Sequence, residues 1–333
     1  MLNGKSMLVT GGTGSFGNRF IKTVLESYPE IQRIVVFSRD EFKQFQMSNL
    51  PWIKGNKKIR FFIGDVRDKD RLLRAFDGVD IVVHAAALKQ IPSCEYNPFE
   101  AIKTNVLGAQ NVIDSAIDRN VKRVVALSTD KACNPINLYG ATKLCSDKLF
   151  VSGNAYAGFH DTAFSVVRYG NVAGSRGSVI PFFKQLIAAG ARELPITDRR
   201  MTRFWLKLDE AVDLVLKALR DMRGGELFVK KTPSIEIARL AEAMAPSLPL
   251  MDVGIRPGEK IHEMMISKED ARNTVEFDKY FVIQPDFEWW NRNGEPLKGK
   301  AVADDFEYHS GNNTEWLSVG QIKSLIEELD ADA

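Results

Sequence analysis

The sequence has only three cysteines and four histidines in 333 residues. Cys94, Cys133 and Cys145 have neither the paired spacing of a zinc site nor the even count of a disulfide scaffold. That pattern points to reduced thiols and a cytoplasmic protein without a bound metal. No apolar run approaches the roughly 20 residues of a membrane span, and the N-terminus lacks a signal-peptide pattern. Charge of one sign is not in excess either: 45 Lys and Arg stand against 43 Asp and Glu, a net +2. That balance gives no reason to expect nucleic acid or a membrane surface as a partner, although local cations can still hold a small anionic substrate. Repeats and low-complexity tracts are absent. What is there, 44% hydrophobic and 26% charged residues, suffices for one large α/β domain or a nucleotide domain with a smaller companion.

Short β-branched runs alternate with helical periodicity over the first half. Ser6–Thr10, Arg33–Ser38, Ile59–Ile63, Val79–His84, Val121–Ser128 and Ala163–Tyr169 read as strands. Ser15–Ser27, Lys69–Phe76 and Phe99–Arg119 read as helices between them. This alternation predicts an α/β fold with a doubly wound parallel sheet of Rossmann type. Past about residue 172 the pattern loosens. Helices are expected over Val179–Ala189, Asp209–Met222, Ser234–Met244 and Ser318–Glu328, a strand over Leu227–Val229, and surface loops over Phe281–Thr314. The expected organisation is a cofactor-binding part over 1–172, with later returns of the chain at about 204–230, and a smaller, mostly substrate-binding part over 173–333.

The first strand runs into Thr10, Gly11, Gly12, Thr13, Gly14, Ser15, Phe16 and Gly17. Gly11, Gly14 and Gly17 form G-x-x-G-x-x-G between a strand and a helix. Such glycines permit the tight turn and let a pyrophosphate approach backbone N–H groups at the helix N-terminus. The second strand ends at Ser38 and Arg39, with Lys43 one helical turn on. A carboxylate at that point would favour the free ribose hydroxyl of NAD, whereas cations suit the 2′-phosphate of NADP, the cofactor expected here. Reading Arg39 and Lys43 as solvated surface charges is the alternative. Asp65 and Val66, at the end of the third strand, are placed to bracket the adenine. Ala86 and its small neighbours after the fourth strand let the backbone lie close to a cofactor, and His84 reads as a packed strand-end histidine.

Four proton-transfer groups fall in one segment, Ser128-Thr129-Asp130-Lys131 followed by Tyr139 and Lys143. Tyr139 and Lys143 are spaced i, i+4 and share a helix face. A lysine ammonium beside a phenol lowers the phenol pKa towards neutrality, where it can take a hydroxyl proton. Asp130 and Lys131 add an acid–base pair that hydride transfer alone does not require. For Lys131 to be a base it must be neutral, which calls for a pKa lowered by desolvation or by Lys143 and Lys89. The two roles are interchangeable in a coupled pair.

These motifs together resemble the extended short-chain dehydrogenase/reductase family, over about the first 180 residues. The resemblance implies that Tyr139 is the acid–base on the oxidised carbon and that Lys143 orients the cofactor ribose. A finer likeness covers nearly the whole chain: Thr129–Tyr139, Arg168–Val172, Pro195–Asp198, Met201–Phe204, Arg256–Lys260 and Asp305–Tyr308 are similar to the inverting UDP-N-acetylglucosamine 4,6-dehydratases of pseudaminic acid synthesis. A related capsule-pathway group typically lacks the tyrosine that is present here. Cys133 stands where a smaller alanine is expected.

The likeness implies oxidation at carbon 4 by NADP, loss of water across carbons 5 and 6, and return of hydride to carbon 6 with inversion at carbon 5. Thr129, Asp130, Lys131, Tyr139 and Lys143 are the expected catalytic set, with Lys131 as carbon 5 base and Asp130 as acid to the leaving hydroxyl. Val172 joins the expected cofactor contacts. Lys89 is expected on both cofactor and substrate. Thr104, Asn105, Asn171, Val179, Thr197, Arg256 and Glu259 are expected on the substrate, UDP-N-acetylglucosamine, with Arg203 and Arg176 as further phosphate candidates. A homo-oligomer, with a hexamer as one candidate, is also implied. A nucleotide-sugar 4-epimerase or reductase on the same scaffold is the rival reading, and an epimerase has no need of Asp130 and Lys131.

Overall fold

The computed structural model describes residues 1–175, 177–287 and 297–331. Its first half alternates β1 (Ser6–Thr10), α1 (Ser15–Ser27), β2 (Arg33–Ser38), α2 (Glu41–Ser48), β3 (Ile59–Ile63), α3 (Lys69–Ala75) and β4 (Ile81–His84). Next come α4 (Ile91–Tyr96), α5 (Pro98–Ile102), α6 (Gly108–Asp118), β5 (Arg123–Leu127), α7 (Leu138–Tyr156) and β6 (Ala163–Arg168). The later chain adds β7 (Asn171–Val172), α8 (Val179–Ala188), β8 (Leu194–Ile196), β9 (Thr202–Leu206), α9 (Leu208–Asp221), β10 (Leu227–Lys230), β11 (Ser234–Glu236) and α10 (Ile237–Met244). It closes with β12 (Leu250–Asp252), β13 (Met264–Ile266), α11 (Lys268–Ala271), β14 (Thr274–Glu276), β15 (Tyr280–Ile283), β16 (Lys300–Ala301), β17 (Tyr308–His309) and α12 (Val319–Ala331).

The large sheet has the order β16-β14-β15-β10-β6-β5-β4-β1-β2-β3. Strands β3 to β10 in that order are parallel, and β15, β14 and β16 extend the edge antiparallel. Alternate side chains of the central strands feed opposite layers. Leu8, Val82 and Val124 pack with α3, α6 and Phe150 of α7 on one face. Met7, Val9, Val83 and Val125 pack with α1 and α9 on the other. Burial on both faces explains why these strands read as continuous Val/Ile/Leu runs. A third cluster joins α8, β8, β9, α10 and α12. From β1 the chain winds outward through β2 and β3, and from β4 it winds the other way through β5 and β6. Their carboxyl ends therefore form the topological switch point where such sheets take ligands.

Three expectations are corrected. The helix expected over Phe99–Arg119 is broken: α5 runs into a π-helical turn, Lys103–Leu107, before α6. Inside that turn the Asn105 side chain bonds the Leu88 backbone, which holds the widened turn in place. Ser234–Glu236 is a strand on β9 rather than a helical turn, because β9 offers it an antiparallel edge. Phe281–Thr314 was expected to be loop, yet Tyr280–Ile283 pairs with both β10 and β14, and Tyr308–His309 pairs with β13. Such two- to four-residue strands carry too little alternation to be read from sequence. Residues 288–296 of that stretch lie outside the described residues. No described helix is long and apolar enough to cross a membrane.

Candidate active site

The glycine turn leaves β1 against the end of β4. Gly11 has φ +65°, and a Cβ there would lie 2.9 Å from the Ala86 nitrogen. A Cβ on Gly17 would lie 2.4 Å from the Gly12 carbonyl oxygen, so α1 can start this close to the turn only with glycines. Gly14 caps α1 with no side-chain hydrogen bond. The first N–H groups of α1, around Ser15, Phe16 and Gly17, are thus without a side-chain cap and suit a pyrophosphate. Thr13 is buried in the turn. Thr10 Oγ1 accepts from the Ala85 and Ala86 amides and meets His84 Nδ1 at 2.8 Å. Burial, aided by Lys143, pushes His84 down to about 3, so it is a neutral, packed histidine.

At the end of β2, Ser38 is buried and its hydroxyl accepts from Gln44 Nε2 at 3.2 Å. The Asp40 carboxylate caps α2 through the Lys43 amide and lies 3.1 Å from Lys43 Nζ. Arg39 keeps over half of its side chain exposed, with Asp65 3.7 Å away. Asp65 also accepts from Arg67. Burial opposes ionisation of Asp65, but the Arg67 hydrogen bonds and charge hold its pKa below the usual carboxylate value. Val66 is buried against Gly108, at the start of α6. The residues at this end of the sheet fit a dinucleotide, with Arg39 and Lys43 at its rim, each beside a carboxylate.

The proton-transfer groups converge at the end of β5. A single 3-10 turn, Asp130–Ala132, follows Thr129, whose hydroxyl accepts from the Lys131 amide. Asp130 is fully buried. Its Oδ1 accepts from Thr129 Oγ1 and from Lys131 Nζ, each at 2.9 Å. Lys131 Nζ also donates to Asn171 Oδ1 at 3.1 Å and lies 3.7 Å from Glu263 Oε1. Helix α7 packs directly on this turn: a Cβ at Gly140 would lie 2.1 Å from the Lys131 carbonyl oxygen. Asn137 caps α7 by accepting from the Gly140 amide, and its Nδ2 donates to the Gly258 carbonyl. That bond docks the loop carrying Arg256 and Glu259 onto the start of α7.

The electrostatics differ from the sequence reading in two ways. Burial raises Tyr139 to about 12. The cation that counters this is Lys131, helped by the Thr129 hydroxyl, rather than Lys143. Lys143 shares the helix face but is buried near Asp147 and His84, and burial lowers its own pKa. Lys131 was expected to be lowered, and it is raised. Burial opposes its charge, but Asp130 and Glu263 together outweigh that cost. Lys131 is therefore an ammonium at rest. Lys89 remains solvent-accessible; partial burial and the nearby Lys131 lower its pKa.

The expected substrate residues divide. Asn171 faces the cluster through Lys131, and Val172 continues the same short strand. Arg256 pairs with Glu259 at 2.7 Å; the guanidinium is largely exposed at a rim, whereas the Glu259 side chain is mostly covered. Val179 opens α8 and Thr197 follows β8; both are half-buried beside the third core cluster. Asn105 is corrected to a structural role. It is 1% exposed and spends its amide on the Leu88 backbone and Thr142 Oγ1. Thr104 is likewise buried within the π-turn. Arg203 is a buried residue bonded to the Thr202 and Ile261 carbonyls, 3.8 Å from Glu263, and is not an open phosphate site. Arg176 lies outside the described residues.

Sequence reasoning missed Glu263, which β13 and β17 bring beside Lys131 from far along the chain. It also missed the support behind the site. Asp147 Oδ2 accepts from Ser128 Oγ at 2.6 Å and from Arg168 at 3.3 Å, all three buried. Tyr169 gives its carbonyl to the Asp130 amide and feels Tyr139. The spacing of Lys143 and Asp147, one helical turn apart, was the available signal for that network.

The model of the polysaccharide biosynthesis protein family matches residues 7–285. The chain is 53% identical to UDP-N-acetylglucosamine 4,6-dehydratase (inverting) of Campylobacter jejuni subsp. jejuni serotype O:23/36 (strain 81-176), over 99% of each chain. It is 42% identical to UDP-glucose 4-epimerase of Rickettsia canadensis (strain McKiel), over 98% of this chain and 96% of the relative. Among solved structures, that of Pen from Bacillus thuringiensis superposes with a TM-score of 0.89 at 36% identity, covering 99% of both chains. The chain belongs to the polysaccharide biosynthesis protein family and, within the extended short-chain dehydrogenases/reductases, to the group of the inverting UDP-N-acetylglucosamine 4,6-dehydratases.

Proposed function

We propose that the protein is an NADP-dependent nucleotide-sugar dehydratase. It converts UDP-N-acetylglucosamine to UDP-2-acetamido-2,6-dideoxy-β-L-arabino-hex-4-ulose, the opening step of a pseudaminic acid route. The observation that carries this reading is the buried contact of Lys131 Nζ with Asp130 Oδ1 at 2.9 Å, set against Tyr139. A 4-epimerase, the activity in the name of the Rickettsia relative, needs an acid–base group at carbon 4 only. A second acid and base beside the tyrosine suit an elimination.

In this reading residues 1–172 and 204–230 hold the cofactor, and the remainder of the chain closes over the sugar nucleotide. Gly11, Gly12, Thr13, Gly14 and the start of α1 hold the pyrophosphate, and Arg39 with Lys43 meets the 2′-phosphate. When bound, NADP supplies the hydride acceptor at carbon 4 and the hydride donor at carbon 6. Tyr139 is a protonated phenol at rest; after giving that proton to solvent it takes the carbon 4 hydroxyl proton as a phenolate, the form that the Lys131 ammonium and the Thr129 hydroxyl favour, and Lys143 positions the ribose. Arg256 holds the diphosphate and Glu259 a hydroxyl.

The resting ion pair becomes reactive through one internal proton shift. Moving a proton from Lys131 Nζ to Asp130 gives a neutral amine and a neutral carboxylic acid without changing the charge of the site. A low-dielectric surrounding reduces the cost of that shift, because it penalises charged forms. The amine then takes the carbon 5 proton as Asp130 protonates the departing carbon 6 hydroxyl, which leaves as water. The ion pair is restored by the same event. Incubation with UDP-N-acetylglucosamine in heavy water tests the reading. Deuterium is expected at carbon 5 of a 4-keto-6-deoxy product, and absence of any 4-keto product refutes it.

A further inference from the structure

Four formally charged side chains meet in one buried cluster: Asp130, Lys131, Glu263 and Arg203. The carboxyl groups are 0% and 3% exposed, and Lys131 and Arg203 are 18% and 9% exposed. The set is neutral overall, which is the condition under which buried charges are tolerated. Glu263 contributes a second carboxylate to the same ammonium that Asp130 holds. Its Oε2 is buried without a hydrogen-bond partner among the described residues.

The placement of Glu263 is fixed by its backbone. Its amide donates to Ser310 Oγ at 2.9 Å, and its carbonyl accepts from the Ser310 amide at 2.8 Å. Ser310 Oγ is 2.7 Å from Thr202 Oγ1, beside Arg203. The pairing of β13 with β17 thus carries the C-terminal chain to the site and holds one carboxylate 3.7 Å from Lys131. A surface ion pair would not require this arrangement.

We propose that Glu263 is a positioning residue for the elimination: together with Asp130 it brackets the Lys131 ammonium and sets the basicity with which Lys131 takes the carbon 5 proton. The inference rests on the dehydratase reading above. When Lys131 accepts that proton its amine becomes an ammonium, and a fixed carboxylate at 3.7 Å stabilises the charge as it forms. The groups facing Lys131 are Asp130 on its own turn, Glu263 before β13, Arg203 on β9, Asn171 on β7, Tyr139 on α7 and Lys89 after β4. Of these, Asp130 and Glu263 are the carboxylates.

The test is Glu263→Gln in the full-length protein with NADP and UDP-N-acetylglucosamine. Initial rates and carbon 5 deuterium incorporation are followed across pH. An opposite charge at this range raises a lysine pKa by about 1–3 units. The reactive pair holds one proton between Asp130 and Lys131, so kcat rises as the doubly protonated pair loses its first proton, and removing Glu263 is expected to move that rising limb to lower pH by at least about one unit. A weaker base also lowers the plateau kcat, on the order of tenfold, with KM within about twofold. Glu263→Asp is expected to shift the limb the same way by less. A purely structural role would leave the limb in place. An unmoved limb in a folded Gln variant overturns the inference. If that variant fails to fold, a Glu263→Asp profile coincident with wild type overturns it instead. Wild-type protein that incorporates no deuterium at carbon 5 refutes the dehydratase reading itself, which separates the two failures.

Discussion

Replacing Lys131 by methionine removes the ammonium and keeps most of the side-chain volume. Two consequences follow from the geometry. Asp130 loses its cation at 2.9 Å, and among the described residues Glu263 keeps only Arg203, at 3.8 Å, as a cation partner. Breaking a buried ion pair from one side costs about 3–5 kcal/mol, and the partial exposure of Lys131 argues for the lower end. With about 2.1 cal/mol/K of unfolding entropy per residue over 333 residues, 3 kcal/mol lowers Tm by about 4 °C. The loss has a defined pH dependence. Lys131 has a raised pKa in the fold, so its contribution is present in full below its unfolded value and fades as pH rises through the folded value. The gap in Tm between wild type and variant is therefore constant through neutral pH and narrows only above about pH 10. In activity, the missing base lowers product formation by about 10²–10⁴-fold. Tyr139 remains but loses the cation that lowers its pKa, so reduced cofactor should still accumulate on mixing with substrate, more slowly than in wild type. Product NMR, near-ultraviolet absorbance and calorimetry read the three effects. A variant that makes product within about tenfold of wild type would refute the assignment of Lys131.

Other expectations follow from the same geometry. Arg39→Ala should weaken NADP by about 10–100-fold while leaving NAD unaffected, since a charge-assisted hydrogen bond contributes about 1.5–3 kcal/mol; equal losses for both cofactors, read by fluorescence titration, would remove Arg39 from cofactor choice. His84 is lowered from 6.5 to about 3, so its contribution is present above pH 6.5 and is lost as pH falls towards 3. That amounts to about 4–5 kcal/mol, and a His84→Gln variant should lose less stability than wild type over that window in acid titrations followed by circular dichroism. Gly140→Ala places a methyl group 2.1 Å from the Lys131 carbonyl. It should cost about 1–3 kcal/mol in denaturant unfolding and reduce kcat by shifting the turn that carries Asp130 and Lys131.

The local parts of the site were legible in the sequence because their chemistry is written in consecutive residues. The turn Thr10–Gly17 announces a tight approach by its glycines, and Asp130, Lys131, Tyr139 and Lys143 lie within fourteen positions along one strand end and one helix. Direction was less legible than position. A spacing of i, i+4 puts Lys143 on the face of Tyr139 but does not say where its ammonium ends, and it ends beside Asp147. Asn105 looked like a polar residue available to a sugar, yet its amide closes a π-turn onto Leu88. Glu263 was out of reach altogether. It meets Lys131 through pairing of β13 with a two-residue strand near the C-terminus, and no local pattern encodes that pairing. With the adjacent Asp130, which contributes more, that long-range contact reversed the expected direction of the Lys131 pKa.

The central claim is elimination with inversion, and the configuration at carbon 5 of the first product tests it most directly. Proton NMR of the product formed from UDP-N-acetylglucosamine with NADP present, read through the ring coupling constants at early time points, is expected to show the L-arabino 4-keto-6-deoxy sugar carrying solvent hydrogen at carbon 5. A 4-keto-6-deoxy product with carbon 5 in its starting configuration would contradict inversion, and a 4-epimer without loss of water would contradict elimination altogether.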